Sequence, residues 1–214
     1  MKFGALIAGH LSMMLLLGAC IGCACHGSDP PVPLVMSDCV FADSLRWEDS
    51  GETVHFSERF EYFQAQLRTA YSVWNEQTDF TFEMGGVVRK HYGGSQFDGQ
   101  SFFDIAYLES HIEKAGKTFR TTTRADSPHV YEVRTLINSY TNWAFSEQEA
   151  LADPSRVHFA TVLLHEQGHW VGLGHPDSTA SSPLDSQAVM FDPYLKPKMT
   201  LGAWDLKCAE ELGY

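Results

Sequence analysis

The stretch His165-Glu166-Gln167-Gly168-His169-Trp170-Val171-Gly172-Leu173-Gly174-His175 fixes five positions in the order H-E-x-x-H-x-x-G-x-x-H. With each fixed residue type at a frequency of about 5%, a chance match in a chain of this length has a probability below ~10⁻⁴. Histidines four apart share one face of a helix, so His165 and His169 can hold one ion between them, with Glu166 rotated about 100° toward the space beside it. His175 cannot follow on that helix. An unbroken helix would carry it about 15 Å along the axis from His165, whereas a zinc–nitrogen bond is about 2 Å long. The chain must therefore reverse, and Gly172 is the residue that takes a positive φ at low cost. Three neutral imidazoles leave a fourth position for water, the arrangement of a catalytic rather than a structural zinc. The plainer reading, an amphipathic helix that happens to carry histidines, accounts for a bare H-E-x-x-H but not for the full pattern.

The flanks predict how this stretch is held. Asp153-Pro154 offers an N-cap carboxylate and a proline for a first helical position, and Val157, Ala160, Thr161, Leu163, Leu164 and Val171 give the helix broad apolar faces. On that reading His158 lies on the same helix about 10 Å from His165, too far to join the site. Beyond His175, a loop rich in Ser, Thr, Asp and Pro leads to Ala188-Val189-Met190-Phe191-Asp192-Pro193-Tyr194. By itself Met190 reads as core filling. Leu201, Trp204, Leu206 (or Cys208) and Leu212 are spaced for a last amphipathic helix.

Upstream, a turn at Asp49-Ser50-Gly51 separates Arg46-Trp47 from Val54-His55-Phe56, a first strand. Phe60, Phe63, Leu67, Ala70 or Tyr71, and Trp74 recur at threes and fours, which predicts an amphipathic helix over 57–77 whose aromatic stripe is core. Phe80–Phe82 and Phe102–Leu108 read as strands, with Gly85-Gly86 and Gly93-Gly94 as loops, and further strands are expected over 118–124 and 130–139. His91, His111 and His129 are isolated and read as surface or hydrogen-bonded histidines. The order of elements is that of an α+β domain with one mostly antiparallel or mixed sheet, and no internal repeat interrupts it.

At 214 residues and 44% hydrophobic the chain is long enough for one good core. Its net charge of −12 excludes nucleic acid and anionic membrane surfaces as partners, since both would repel it. Lys2 followed by the apolar run from Phe3 to Leu17 reads as an export signal, too short to span a bilayer. Leu17-Gly18-Ala19-Cys20 has the form of a bacterial lipobox, in which Cys20 is lipidated and becomes the first residue; free secretion with cleavage near Ala24 is the rival. The expected organisation is a signal over 1–19, a flexible tether over 20–38 and a folded domain over 39–214. Cys20, Cys23 and Cys25 cluster at the processing site, which leaves Cys39 and Cys208 in the domain. In an oxidising compartment that pair forms one disulfide.

With these residues assembled, the chain resembles the metzincin clan of zinc peptidases, and within it the matrixins, most closely their bacterial relatives. The resemblance covers about Arg46 to Tyr214. It is carried by the zinc motif, by Met190 in the place of the tight Met-turn beneath the zinc, by Tyr194 beyond it, and by a final helix ending Glu211-Leu212-Gly213-Tyr214. It implies a twisted mixed β-sheet with an active-site helix and a C-terminal helix, one catalytic Zn²⁺ on His165, His169 and His175, and Glu166 as general base in peptide-bond hydrolysis. Tyr194 would line the primed-side pocket or donate to the oxyanion. Pro176 departs toward serralysins, and the His- and Asp-rich run that binds structural zinc and calcium in animal matrix metalloproteinases is missing, so no structural Ca²⁺ is inferred. A latency thiolate at Cys39 is the alternative to the disulfide, although Ser37-Asp38 and Val40-Phe41 do not resemble the cysteine-switch motif of that family.

The expected partner is a protein or peptide substrate, with a monomeric enzyme at the cell envelope or outside the cell and any membrane contact made through the lipid on Cys20 alone. Two other functions share these features. One is a surface-anchored binding lipoprotein that no longer cuts, against which the five intact motif residues argue. The other is a zinc amidase acting on cell-wall peptides, which differs only in its cleft.

Overall fold

In the computed structural model five strands form one mixed sheet in the order β2-β1-β3-β5-β4. The strands are β1 (Gly51–Ser57), β2 (Thr81–Val88), β3 (Phe102–Ala106), β4 (Gly116–Thr121) and β5 (Glu132–Asn138). The structure describes residues 36–89, 99–106, 115–122, 128–176, 183–194 and 196–214, all within a unit that spans 34–214. Cys20, Cys23, Cys25, His91, His111 and Gly93-Gly94 lie outside the described residues.

Four strands run parallel and β4 pairs antiparallel to β5 at one edge. Parallel strands need a crossover, and β1 reaches β2 through a 3-10 turn (Glu58–Phe63) and the helix α1 (Gln64–Gln77). The helix expected over 57–77 therefore begins as a tighter 3-10 segment. Gly85 and Gly86, expected in a loop, lie within β2. A Cβ on Gly85 would overlap the His55 ring on the neighbouring strand, and the register slips between Val54 and Phe56 at the same place. The glycine thus marks a close strand approach rather than a turn.

All seven residues of β5 are buried. One side presents Val133, Thr135 and Ile137 toward the helices, and the other presents Glu132, Arg134, Leu136 and Asn138. On the helix side lie α1 and α3 (Phe159–Val171). Phe103 stacks on Trp170 at 5.1 Å, and the Trp74 Nε1–H donates to Leu164 O at 3.0 Å, joining α1 to α3. The Trp47 Nε1–H donates to Trp170 O at 2.7 Å. Buried indoles with a satisfied N–H fix orientation as well as filling space.

The helix start expected at Asp153-Pro154 is corrected. The α-helix before it, α2 (Glu147–Ala152), is capped by Ser146, whose hydroxyl accepts the Glu149 N–H at 3.2 Å, and Asp153 closes that helix instead of opening the next. The Asp153 carboxylate accepts the Ser155 N–H at 3.0 Å in a local turn. Two short parallel strands, β6 (Trp143–Ala144) and β7 (Val157–His158), then hold the chain extended until Phe159. His158 is consequently the residue before α3, and its ring bonds Thr161 Oγ1 at 2.9 Å. The last helix, α4 (Ala203–Leu212), closes the core with Trp204, Cys208 and Ala209 buried.

Candidate active site

α3 carries His165, Glu166 and His169 and ends where the sequence requires. Gly172 takes φ 117°, and the Gly172 and Leu173 N–H groups both reach Gly168 O, at 3.0 and 2.9 Å. A side chain at that φ would be strained, so glycine is needed here. The chain beyond is strapped by the N-terminal segment. Ala42 N–H donates to Gly172 O at 2.9 Å, Gly174 N–H donates to Val40 O at 2.7 Å, and Phe41 bridges Leu173. Cys39, adjoining this strap, is joined by a disulfide to Cys208 of α4.

The reversal brings His175 Nε2 to 3.1 Å from Nε2 of both His165 and His169. Among the described residues this is the cluster of metal-ligating side chains, its three ligand atoms all within 4.8 Å of one another. The Nδ1–H of His165 donates to Val189 O at 2.9 Å and that of His169 to Leu173 O at 2.8 Å. Those bonds fix the tautomer and turn the unprotonated Nε2 of each ring toward the cluster. Three nitrogens at ~2 Å from a tetrahedral ion sit about 3.3 Å apart, so the cluster fits zinc. Burial pushes the His165 imidazolium down to about 4, against the Val189 carbonyl, which favours the charged form. Burial, then His165, likewise holds His169 well below the ordinary range. Both rings are neutral at pH 7 and able to ligate.

Met190 is fully buried and directly follows Val189, whose carbonyl holds His165. A Cβ at Gly168 would overlap its sulfur, so glycine inside the helix lets the thioether lie against the backbone. The turn that carries Met190 is pinned by Asp205 of α4, whose carboxylate accepts N–H bonds from Val189 (2.7 Å), Met190 (3.1 Å) and Gly202 (2.7 Å). Sequence reading missed Asp205. An aspartate three residues into a helix that follows glycine carries a capping signal, but nothing in the sequence pointed it at Met190.

Glu166 is 4% exposed, and its Oε2 accepts the Thr118 hydroxyl at 2.5 Å. Gly116, also on β4, leaves the room that Oε1 occupies, since a Cβ there would overlap it. Neither Gly116 nor Thr118 was legible as a site residue. The three histidines and Glu166 line a cleft of about 690 Å³ together with Gly116, Thr118 and Arg120 of β4 and with Phe191 and Tyr194. The Tyr194 hydroxyl accepts the His158 N–H at 3.2 Å. Lys198 also lines the cleft and donates to Ala188 O; burial holds its ammonium down to about 8.

The family profile described as Matrixin matches residues 43–212. The chain belongs to the matrixin family. Its mixed sheet, long buried helix and closing helix are the α+β arrangement the resemblance implied. Matrixins are zinc-dependent peptidases, so this matrixin is a metallopeptidase hydrolase whose substrates are proteins or peptides. No curated protein gives a significant match to the chain.

Proposed function

We propose that this matrixin is a zinc endopeptidase in which His165, His169 and His175 hold the ion and Glu166 is the general base. The observation that supports this most is the convergence of three Nε2 atoms beside a buried carboxylate at the floor of one cleft. When bound, zinc supplies Lewis acidity, polarising the scissile carbonyl and bringing the pKa of water to about 7. The residues of the chain do the rest. Glu166 cannot join the ligand set, being turned from the His165–His169 face toward β4, and from there it takes the proton of the attacking water and passes it to the departing amine nitrogen. Val189 O and Leu173 O keep His165 and His169 in the ligating tautomer. Tyr194 forms a wall of the cleft, with its hydroxyl held by the His158 amide.

The purified domain is expected to bind about one zinc and to cleave casein, with a chelator abolishing cleavage and added zinc restoring it. A zinc-loaded, folded protein that cuts nothing in a broad peptide library would overturn the endopeptidase reading in favour of a binding protein. Cleavage confined to cell-wall peptides would favour the amidase.

We further propose export with lipidation at Cys20, supported by Leu17-Gly18-Ala19-Cys20 at the end of the apolar run. Labelled fatty acid should attach to the wild type and be lost in Cys20→Ala. An unlabelled wild type found in the medium would mean free secretion.

A further inference from the structure

We propose that Thr118 is a positioning residue that aims Glu166 through a one-way chain of hydrogen bonds starting at the Trp170 indole. This rests on the reading of Glu166 as the base. The chain has three links: Trp170 Nε1–H to Thr135 Oγ1 at 2.7 Å, Thr135 Oγ1 to Thr118 Oγ1 at 2.6 Å, and Thr118 Oγ1 to Glu166 Oε2 at 2.5 Å.

Its direction is fixed at both ends. An indole N–H only donates and a carboxylate only accepts. The Thr118 hydroxyl therefore gives its proton to Glu166, so it must accept from Thr135, and Thr135 in turn accepts from Trp170. Neither threonine has a second orientation that keeps every link.

The sheet explains why the links meet. Thr118 and Thr135 are directly paired across β4 and β5, which puts both hydroxyls on the helix-facing side. Thr135 interrupts an otherwise apolar face between Val133 and Ile137, and it is 1% exposed. A buried hydroxyl in such a place costs stability unless bonded, and here it is bonded on both sides. Trp170 is four residues beyond Glu166, one helical turn along the same face of α3. Its ring is locked by the Phe103 stack, so the first donor is rigid. The chain thus leaves α3 at Trp170, crosses two strands and returns to α3 at Glu166. A carboxylate with several rotamers is anchored by Oε2 to the sheet, while the missing Cβ of Gly116 opens room for Oε1 on the cleft side.

Thr118→Val keeps the shape and removes the hydroxyl. It should lower kcat on the order of 10- to 100-fold, the effect of a misaimed base, with KM within about twofold. Thr118→Ser restores the hydroxyl and should bring kcat back to within about threefold of wild type. A Thr118→Val enzyme with wild-type kcat overturns the proposal, as does a Thr118→Ser enzyme as slow as the valine variant, because shape rather than the hydroxyl would then matter.

A second measurement needs no activity. The melting temperature of the metal-free protein should fall by about 3 °C on Thr118→Val, and by less than about 1 °C when the same change is made in Glu166→Ala. Equal shifts in both backgrounds would show that the hydroxyl does not act on the carboxylate. If the wild type cleaves no peptide, the endopeptidase reading fails, and this cycle still decides whether Thr118 anchors Glu166.

Discussion

Glu166→Gln is expected to lower kcat by about 10²- to 10⁴-fold while the protein still carries one zinc. The size follows from what the substitution removes. Glutamine has nearly the volume of glutamate, and its amide oxygen can still accept the Thr118 hydroxyl that reaches Oε2 at 2.5 Å, so the side chain stays where it is. The amide cannot take a proton from water near neutral pH, and proton transfer is the single step lost. The three Nε2 atoms and their backbone partners Val189 O and Leu173 O are untouched, so metal content should hold. Single-turnover cleavage together with zinc analysis of the same preparation tests this. Activity within tenfold of wild type would remove Glu166 from the role of base. Loss of zinc along with activity would mean that the carboxylate supports the metal cage rather than the chemistry.

The second large effect concerns stability. Replacing Cys39 and Cys208 together by alanine should cost about 3–5 kcal/mol, because the disulfide closes a loop of 169 residues and the entropy it removes from the unfolded chain grows with loop length. For a domain of this size that corresponds to a fall in melting temperature of about 10 °C. Alanine is the suitable replacement, since Cys208 is fully buried and a hydroxyl there would add its own penalty. Cys39 leads straight into Val40 and Ala42, whose backbone groups pair with Gly174 and Gly172. Loosening the bond should therefore also raise the zinc dissociation constant, as the third histidine sits at the end of that strap. Calorimetry of oxidised and reduced wild type beside the double variant separates the loss of the covalent link from the loss of the side chains. A variant melting within about 2 °C of wild type would show that packing of the strap, and not the cross-link, holds it.

The sequence carried the metal cage because its constraints are local. Spacings of four and six residues and one glycine suffice to bring three imidazoles together, and helix geometry does the remainder. It placed the start of the zinc-motif helix wrongly. Asp153-Pro154 carries two signals of an N-terminus, the cap carboxylate and the proline, yet the Ser146 cap upstream and the β6–β7 pairing prevail. Gly85-Gly86 read as a loop because a glycine pair has the same signature whether the chain turns or two strands approach closely. Thr118, Gly116 and Asp205 were invisible for another reason. Each acts on a partner brought near only by the tertiary fold, 48 residues away for Thr118 and Glu166, and a threonine on an edge strand looks like any other.

β4 closes the sheet order at one end and also forms a wall of the cleft. Among the described residues the strand that pairs with it is β5 alone, in a ladder on its inner side. A polypeptide lying in the cleft in extended form can complete that ladder, and main-chain pairing of this kind is nearly blind to side-chain identity. What it requires of the substrate is a free, locally straightened segment. Casein offers such segments throughout, whereas a tightly folded protein has already spent its amides on itself. A stretch of chain that has come loose is accordingly expected to be cut faster than the same stretch held in a tight fold, which limited proteolysis of one protein in its folded and unfolded states would measure.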